Sequence, residues 1–360
     1  MADYKLGCNF DFDLINKVKD LNDQYSKNRI SEFYGSERRM AFLTARPSFR
    51  LPEISKDHLE EFVKQTRDIG VIFNYTCNTI FPGSKSFLMS KKDEIKDFVN
   101  YLWNIGVEQL TVSNPILMDL IREANDQIGL EVSTIMHIDA ITQIKYLKEM
   151  YDINKVCGNL IKNRHIEFLK REAKYCNNNG INLELMVNEF CGVGGEDYTT
   201  HCVYRDSCYL YHATNESKED ANSLNGYPMN YCISSRKTHP INWMRTRFIR
   251  PEDIPKYEAL GINHYKITGR TGTTNYLEEL AKAYLSENWE GNLLSLWKPL
   301  ETIYSEQNEF DFVQPADIPN KKLNGFIDHW FDNPNFDCSL EVCGETCRHC
   351  HDFFYKYVNK

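Results

Sequence analysis

No stretch of this 360-residue sequence approaches the ~18 consecutive apolar residues of a membrane-spanning helix, so insertion into a bilayer is not expected. Its opening residues, MADYKLGCNFDFD, lack the basic segment followed by an apolar one that directs export, and a cytoplasmic protein is expected. Positive charge is in deficit: 42 Lys and Arg against 51 Asp and Glu leave a net charge of −9. Bulk affinity for nucleic acid is therefore not expected, although a local basic patch inside a polar site stays open. There is no internal repeat and no low-complexity segment. The glycine fingerprint GxGxxG does not follow the first strand, and neither HExxH nor GxSxG occurs, which removes the commonest marks of a dinucleotide fold, a zinc protease and a serine hydrolase.

What the chain does have in number is cysteine, with 12 residues. Thiols stay reduced in the cytosol, so without an export signal they point to metal or redox work rather than to disulfides. Short β-rich runs alternate with helical patterns along the chain. Strands are expected at Tyr4 to Asn9, Ile30 to Tyr34, Gly70 to Thr76, Val107 to Ser113, Leu130 to Ile135, Ile153 to Cys157, Ile181 to Val187 and Ile262 to Ile267. Between them, DEIKDFVNYLW at Asp93 to Trp103, ILMDLIREA at Ile116 to Ala124 and AITQIKYLKEM at Ala140 to Met150 carry apolar residues at helical spacing. Gly70, Gly106, Gly180 and Gly261 stand where a helix pattern stops and a strand begins, the usual place of a left-handed cap. Pro115 and Pro251 each open a helix.

Eight repeats of strand then helix imply parallel strands with crossover connections, and a (β/α)8 TIM-like barrel is the simplest closure of that α/β pattern. An open doubly wound sheet is the alternative. In a barrel, chemistry is expected at the carboxyl ends of the strands. Two segments depart from the repeat. An insertion of about Glu189 to Arg250 follows the seventh strand and is far longer than the ~2–6 residues of ordinary α/β connections. A tail from about residue 301 to 360 follows the barrel-type domain of residues 1 to 300 and ends in CSLEVCGETCRHCHDFF.

The insertion holds Cys191, Cys202, Cys208 and Cys232, with ten, five and twenty-three residues between them. Four thiolates suffice for one iron–sulfur cubane. Such spacing also allows zinc or four packed thiols. The tail cysteines Cys338, Cys343, Cys347 and Cys350 are separated by four, three and two residues, which is dense enough for one metal, either a structural zinc or a second [4Fe-4S] cluster. His349 and His351 flank them and can substitute as ligands, but flanking histidines are more often bystanders.

A set of local patterns in order resembles the peptidase U32, or collagenase-like, family. They are NYTCN at Asn74 to Asn78, GVEQLTVSNP at Gly106 to Pro115, LEVST at Leu130 to Thr134, LELMVNEFCG at Leu183 to Gly192, the spaced cysteines, and GINHYKITGR at Gly261 to Arg270 with Tyr276 following. The resemblance implies a barrel-type catalytic domain with an iron–sulfur cluster on four cysteines. It also implies an oxygen-independent hydroxylase acting on RNA bases or quinone precursors, with prephenate as the oxygen source. The acidic residue usual in the last pattern is Thr268 here.

Other residues are weighed by position. Glu189, beside Cys191, is a candidate acid/base group or a hydrogen-bonded rim carboxylate. Lys266 and Arg270 are candidate clamps for a carboxylate. Arg245, Arg247 and Arg250 form a second cationic group, for substrate or for internal ion pairs. Asn78, Asn114 and Thr134 lie at strand ends, where they face a pocket or satisfy a turn. His137 is a candidate proton shuttle, and Tyr204, Tyr209, Tyr211 and Tyr231 can stack on a ring substrate or pack a loop. The reading is an iron–sulfur redox enzyme, an oxygen-independent hydroxylase acting on a small-molecule or nucleobase substrate with a possible protein electron donor or partner subunit. A U32-type hydrolase and a non-catalytic iron–sulfur partner subunit are the alternatives.

Overall fold

The computed structural model describes residues 1–189, 236, 239–270, 272–297 and 317–358. Eight parallel strands close into a barrel in sequence order: β1 (Asp3–Gly7), β2 (Arg29–Gly35), β3 (Ile72–Cys77), β4 (Gln109–Val112), β5 (Gly129–Val132), β6 (Lys155–Cys157), β7 (Asn182–Met186) and β8 (His264–Ile267). The pairing of β1 with β8, from Asp3 opposite His264 to Leu6 opposite Ile267, leaves no edge and rules out the open doubly wound sheet. All eight expected strands are present.

They are shorter than expected where a polar side chain turns the chain early. β5 ends at Val132 because Ser133 accepts a hydrogen bond from the Ile135 amide at 3.3 Å and starts a 3-10 turn. Gly70, Gly106, Gly180 and Gly261 all adopt positive φ. At Gly106 a Cβ would lie 2.4 Å from Arg67 Nη1, the end of a flexible exposed side chain that can move aside, so the demand for glycine there is its φ of 96°.

The helices between the first seven strands are α1 (Phe12–Gln24), α2 (Lys56–Asp68), α3 (Lys85–Ser90), α4 (Lys92–Asn104), α5 (Pro115–Ala124), α6 (Ile141–Tyr151) and α7 (Ile166–Asn178); the short helices Ile241–Arg245 and Ile254–Glu258 precede β8 and Thr274–Leu285 follows it. Their starts are written in the sequence. Ser55 caps α2 by accepting from His58 N at 3.1 Å, and Asn114 caps α5 ahead of Pro115.

Alternation along the strands sends apolar side chains outward against these helices. The rings of Phe33 and Phe73 lie 6.1 and 5.9 Å from Phe62 of α2, and Tyr75 meets Phe98 of α4 edge-on at 5.4 Å. The tail joins the same core, with Ile318, Leu323, Phe326, Ile327 and Trp330 continuous with the barrel's apolar residues.

One buried group in the helical layer runs against the packing. Glu172 of α7 is fully buried, and neither carboxyl oxygen has a hydrogen-bond partner among the described residues. Burial, with the charge of Asp139 adding to it and Lys162 opposing, pushes its pKa up to about 8. From the usual carboxylate range up to that value, the folded state keeps a proton that the unfolded chain has released. Stability therefore falls as pH rises across this window, by at most about 1.4 kcal/mol per pH unit. In urea unfolding at pH 6 and pH 8, Glu172→Gln is expected to lose about 2 kcal/mol less than the parent between the two pH values.

Candidate active site and a cysteine cradle at the carboxyl end of the barrel

The inward-facing residues of the strands form a charged layer instead of the usual apolar filling. Lys5 of β1 stands at its centre. Its Nζ pairs with Glu131 of β5 and lies 3.1 Å from Glu184 Oε1 and 3.3 Å from Glu32 Oε1, all four side chains being almost fully buried. Lys155 pairs with Glu32, and Lys266 Nζ lies 3.5 Å from Glu131 Oε1. Asn74 donates to Glu32 at 2.7 Å and to Glu131 at 2.9 Å, while its own oxygen accepts from Thr111 at 2.7 Å. Three carboxyl groups meet three lysines, so the charges balance when all six are ionised. Donor oxygens of Glu32, Glu131 and Glu184 lie within 4.8 Å of one another, a spacing that suits a metal, but the cation they surround is Lys5.

Electrostatics separates the three carboxyls. Burial alone raises Glu131, but Lys5, Lys266 and Lys155 outweigh it and hold the group at about 2. Glu32 is likewise lowered, against its burial, by Lys155 and Lys5. Glu184 moves the other way, because burial and the neighbouring Glu131 charge exceed the pull of the lysines. Lys5 is raised well above the usual lysine value despite burial, by its three carboxylates. Glu184 is thus the carboxyl in the layer best suited to hold a proton.

A second group of residues lies at the carboxyl ends of the strands. Tyr34 at the end of β2 lies over Lys266, whose Nζ is 4.4 Å from the ring centroid. Arg270, just past β8, donates to Ser36 Oγ at 3.1 Å. Its backbone passes so near β1 that a Cβ on Gly7 would lie 2.8 Å from Arg270 N, so glycine at that strand end is a condition of the close approach. Burial and the charge of Arg46 pull the Arg270 pKa down to about 9. Burial lowers Arg46 as well, partly offset by Tyr34 and Glu189. Arg46, Arg270, Tyr34 and Glu189 therefore share one electrostatic neighbourhood at the mouth.

This arrangement corrects the expected clamp. Lys266 lies one layer deeper, committed to Glu131 and the Tyr34 ring, and the second guanidinium at the mouth is Arg46. Arg46 sits in the β2–α2 connection, where no sequence pattern singles it out. Asn78 Oδ1 accepts from Ala45 N at 3.2 Å, and Asn114 serves as the α5 cap. Thr134 donates to the Gly158 carbonyl at 2.7 Å, so these three side chains serve turns rather than a pocket. His137 closes its 3-10 turn in the left-handed conformation at φ 53°. Thr268 is held by Asn188, whose Oδ1 accepts from Thr268 N at 2.6 Å and which ties the ends of β7 and β8 together. Cys191, Cys202, Cys208 and Cys232, with Tyr204, Tyr209, Tyr211 and Tyr231, lie outside the described residues.

The expected second cationic group divides. Arg250 pairs with Asp253 through two hydrogen bonds of 2.9 and 2.8 Å. Arg245 and Arg247 are buried and line a cavity with the tail cysteines, so the structure takes them away from the mouth. The four cysteines reach this cavity from separate turns. Cys338 begins a 3-10 turn capped by Asp337, Cys343 and Cys347 flank a loop closed by Gly344 N to Cys347 O at 2.8 Å, and Cys350 lies on the short helix His349–Phe353. Trp330 Nε1 donates to Cys338 Sγ at 3.2 Å, and Arg164 Nη1 lies 3.8 Å from Cys350 Sγ. His349 is occupied with the Phe326 carbonyl at 2.8 Å, in keeping with a bystander.

Residues 34–193 match the model of peptidase family U32. The chain is 25% identical over 347 residues to a protein of Methanocaldococcus jannaschii named an uncharacterized protease, covering 94% of this chain and 90% of that one. Among solved structures it is similar to a U32 peptidase at 13% identity and TM-score 0.48, over 74% of this chain and 92% of that one. It is also similar to an HpcH/HpaI aldolase from Desulfitobacterium hafniense at 10% identity and TM-score 0.31, over 65% and 92% of the two chains.

The charged layer predicts a large response to a single truncation. Lys5→Met leaves three buried carboxyls around an apolar side chain, and removing one partner of a buried ion pair costs about 3–5 kcal/mol. Urea unfolding at pH 7 is expected to show a loss of that order, and a milder loss at pH 4, where the carboxyls can take up protons.

Proposed function

We propose that this chain, whose residues 34–193 match the model of peptidase family U32, is an enzyme whose barrel mouth binds a small anionic substrate or co-substrate for an oxygen-independent hydroxylation. In such a reaction a ring C–H becomes C–OH, and an organic oxygen donor is reduced by the same two electrons. The observation that carries this reading is the placement of Arg46 and Arg270 at the carboxyl end of the barrel, close enough for one charge to depress the pKa of the other. Two guanidinium groups held together with little water gain from a shared anion, and their planar forks suit a carboxylate.

The surrounding residues supply orientation and proton handling. Ser36 fixes one edge of Arg270. The Tyr34 ring, carried on Lys266, offers a flat apolar face for a ring substrate. Glu189 is the carboxylate whose field reaches Arg46 and Tyr34, and it is the group placed to accept or return a proton at the mouth. An iron–sulfur cluster on Cys191, Cys202, Cys208 and Cys232 would supply one-electron chemistry beside it.

Hydrolysis is less well served. A cysteine nucleophile needs a lowered pKa, whereas burial pushes Cys8 and Cys77 up to about 12 and also raises Cys157, keeping these thiols neutral. The test uses prephenate as the probe, in calorimetric titration of protein prepared without oxygen. Saturable binding is expected for the parent, and at least tenfold weaker binding for Arg46→Ala and Arg270→Ala, since each charge-assisted hydrogen bond contributes about 1.5–3 kcal/mol. A parent that binds no carboxylate, or variants that bind as well as the parent, would sink the reading.

A further inference from the structure

The structure assigns a four-iron, four-sulfide cubane to Cys338, Cys343, Cys347 and Cys350, with Arg164 as the buried cation that tunes it. Zinc is the alternative that the cysteine spacing leaves open, and the geometry separates the two. A tetrahedral zinc thiolate shell has each sulfur at ~2.3 Å from the metal, which places the sulfurs about 3.8 Å from one another. Yet no three of these sulfurs lie within 4.8 Å of one another. They line a cavity of about 20 Å³, enough for one water-sized sphere. Sulfurs drawn in to the zinc distance would leave no such space between them. A cubane interposes a body several ångströms across between its thiolates, which is what this spread accommodates.

A second observation, independent of the cysteines, points to an anion in the cradle. Arg164 is fully buried, and its Nε and Nη2 have no hydrogen-bond partner among the described residues. It is packed against the rings of Phe248, Phe326 and Trp330 at 5.1, 4.9 and 4.5 Å, with Nη1 donating to the Met244 carbonyl at 3.1 Å and directed to Cys350. Among the described residues no carboxylate pairs with it. A cation taken this far out of water needs a compensating charge, and four thiolates around an iron–sulfur core carry a net negative one. Arg245 and Arg247 line the same cavity. Donors from Trp330 and Arg164 to the cysteine sulfurs are the contacts by which a protein sets the potential of such a cluster.

The cradle is built onto the rim that also carries the mouth. Asn163, next to Arg164, donates to the carbonyls of Met186, the last residue of β7, and of Arg247, both at 2.9 Å. Asp337, next to Cys338, lies 3.2 Å from His165 Nδ1. This assignment does not depend on the hydroxylase reading of the mouth.

The experiment measures iron, acid-labile sulfide and zinc in the full-length protein purified without oxygen, for the parent and for Cys343→Ser/Cys347→Ser. The double variant is expected to hold about four irons and four sulfides fewer than the parent, with zinc unchanged. Loss of about one zinc with iron intact, or no change in any metal, would overturn the assignment. Should that variant not fold, Cys191→Ser/Cys208→Ser examines the tail from the other side. About four irons must then remain, and their absence refutes the tail cluster whatever the rim cysteines hold. Arg164→Gln keeps all four thiolates, so it is expected to retain the iron and to make the reduction potential of one couple more negative. An unmoved potential would remove Arg164 from the assignment.

Discussion

The Lys5 ammonium, surrounded by carboxylates from β2, β5 and β7, is the interaction on which the rest of this barrel depends. Its partners come from strands on different sides of the closed sheet, so the ion group can form only when β1 has met β8 and every register is correct. A slip of one residue would turn Lys5 or Glu131 outward into the apolar layer beneath the helices. Buried charge is a weak source of net stability. Here it specifies which face of each strand points inward, and it does so while outward-facing rings pack against α2 and α4.

That polar centre also shapes what lies above it. Lys266, drawn to Glu131, supports the Tyr34 ring from below, and the ring forms part of the floor of the mouth. Arg270 is fixed against Ser36 and over Gly7, and Arg46 comes in from the β2–α2 connection. Arg46, Arg270, Tyr34 and Glu189 are thereby brought into one electrostatic neighbourhood. On the proposed reading, the two guanidinium groups would draw an anion locally in a protein whose net charge is −9.

The tail is part of the same construction. Its apolar residues extend the barrel core, and its cysteines meet arginines that come from the connection after β6 and from the segment preceding β8. Arg164 shows the logic most plainly: among the described residues it is buried against aromatic rings with no carboxylate, and the proposed cluster would supply its anionic partner. The match to the U32 family model covers residues 34–193, within the barrel, while the cradle is read from this chain's own residues.

The sequence by itself determined the eight strands, the intervening helices, the left-handed glycines and both cysteine groups, because each is a local pattern: alternation of period two, helical spacing, backbone freedom at a cap, or dense thiol spacing. It also drew attention to Glu189 and Arg270 through their positions at strand ends. It did not reveal Lys5 with Glu131, which stand 126 residues apart, nor Arg46 with Arg270, nor Arg164 with Cys350. Lys5, Glu131, Arg46 and Arg164 each look ordinary among their sequence neighbours. Only closure of the barrel decided which charges meet, that Arg245 and Arg247 serve the tail instead of the mouth, and that Asn78, Asn114 and Thr134 are spent on turns, since side-chain partners across a closed sheet are fixed by register and not by distance along the chain.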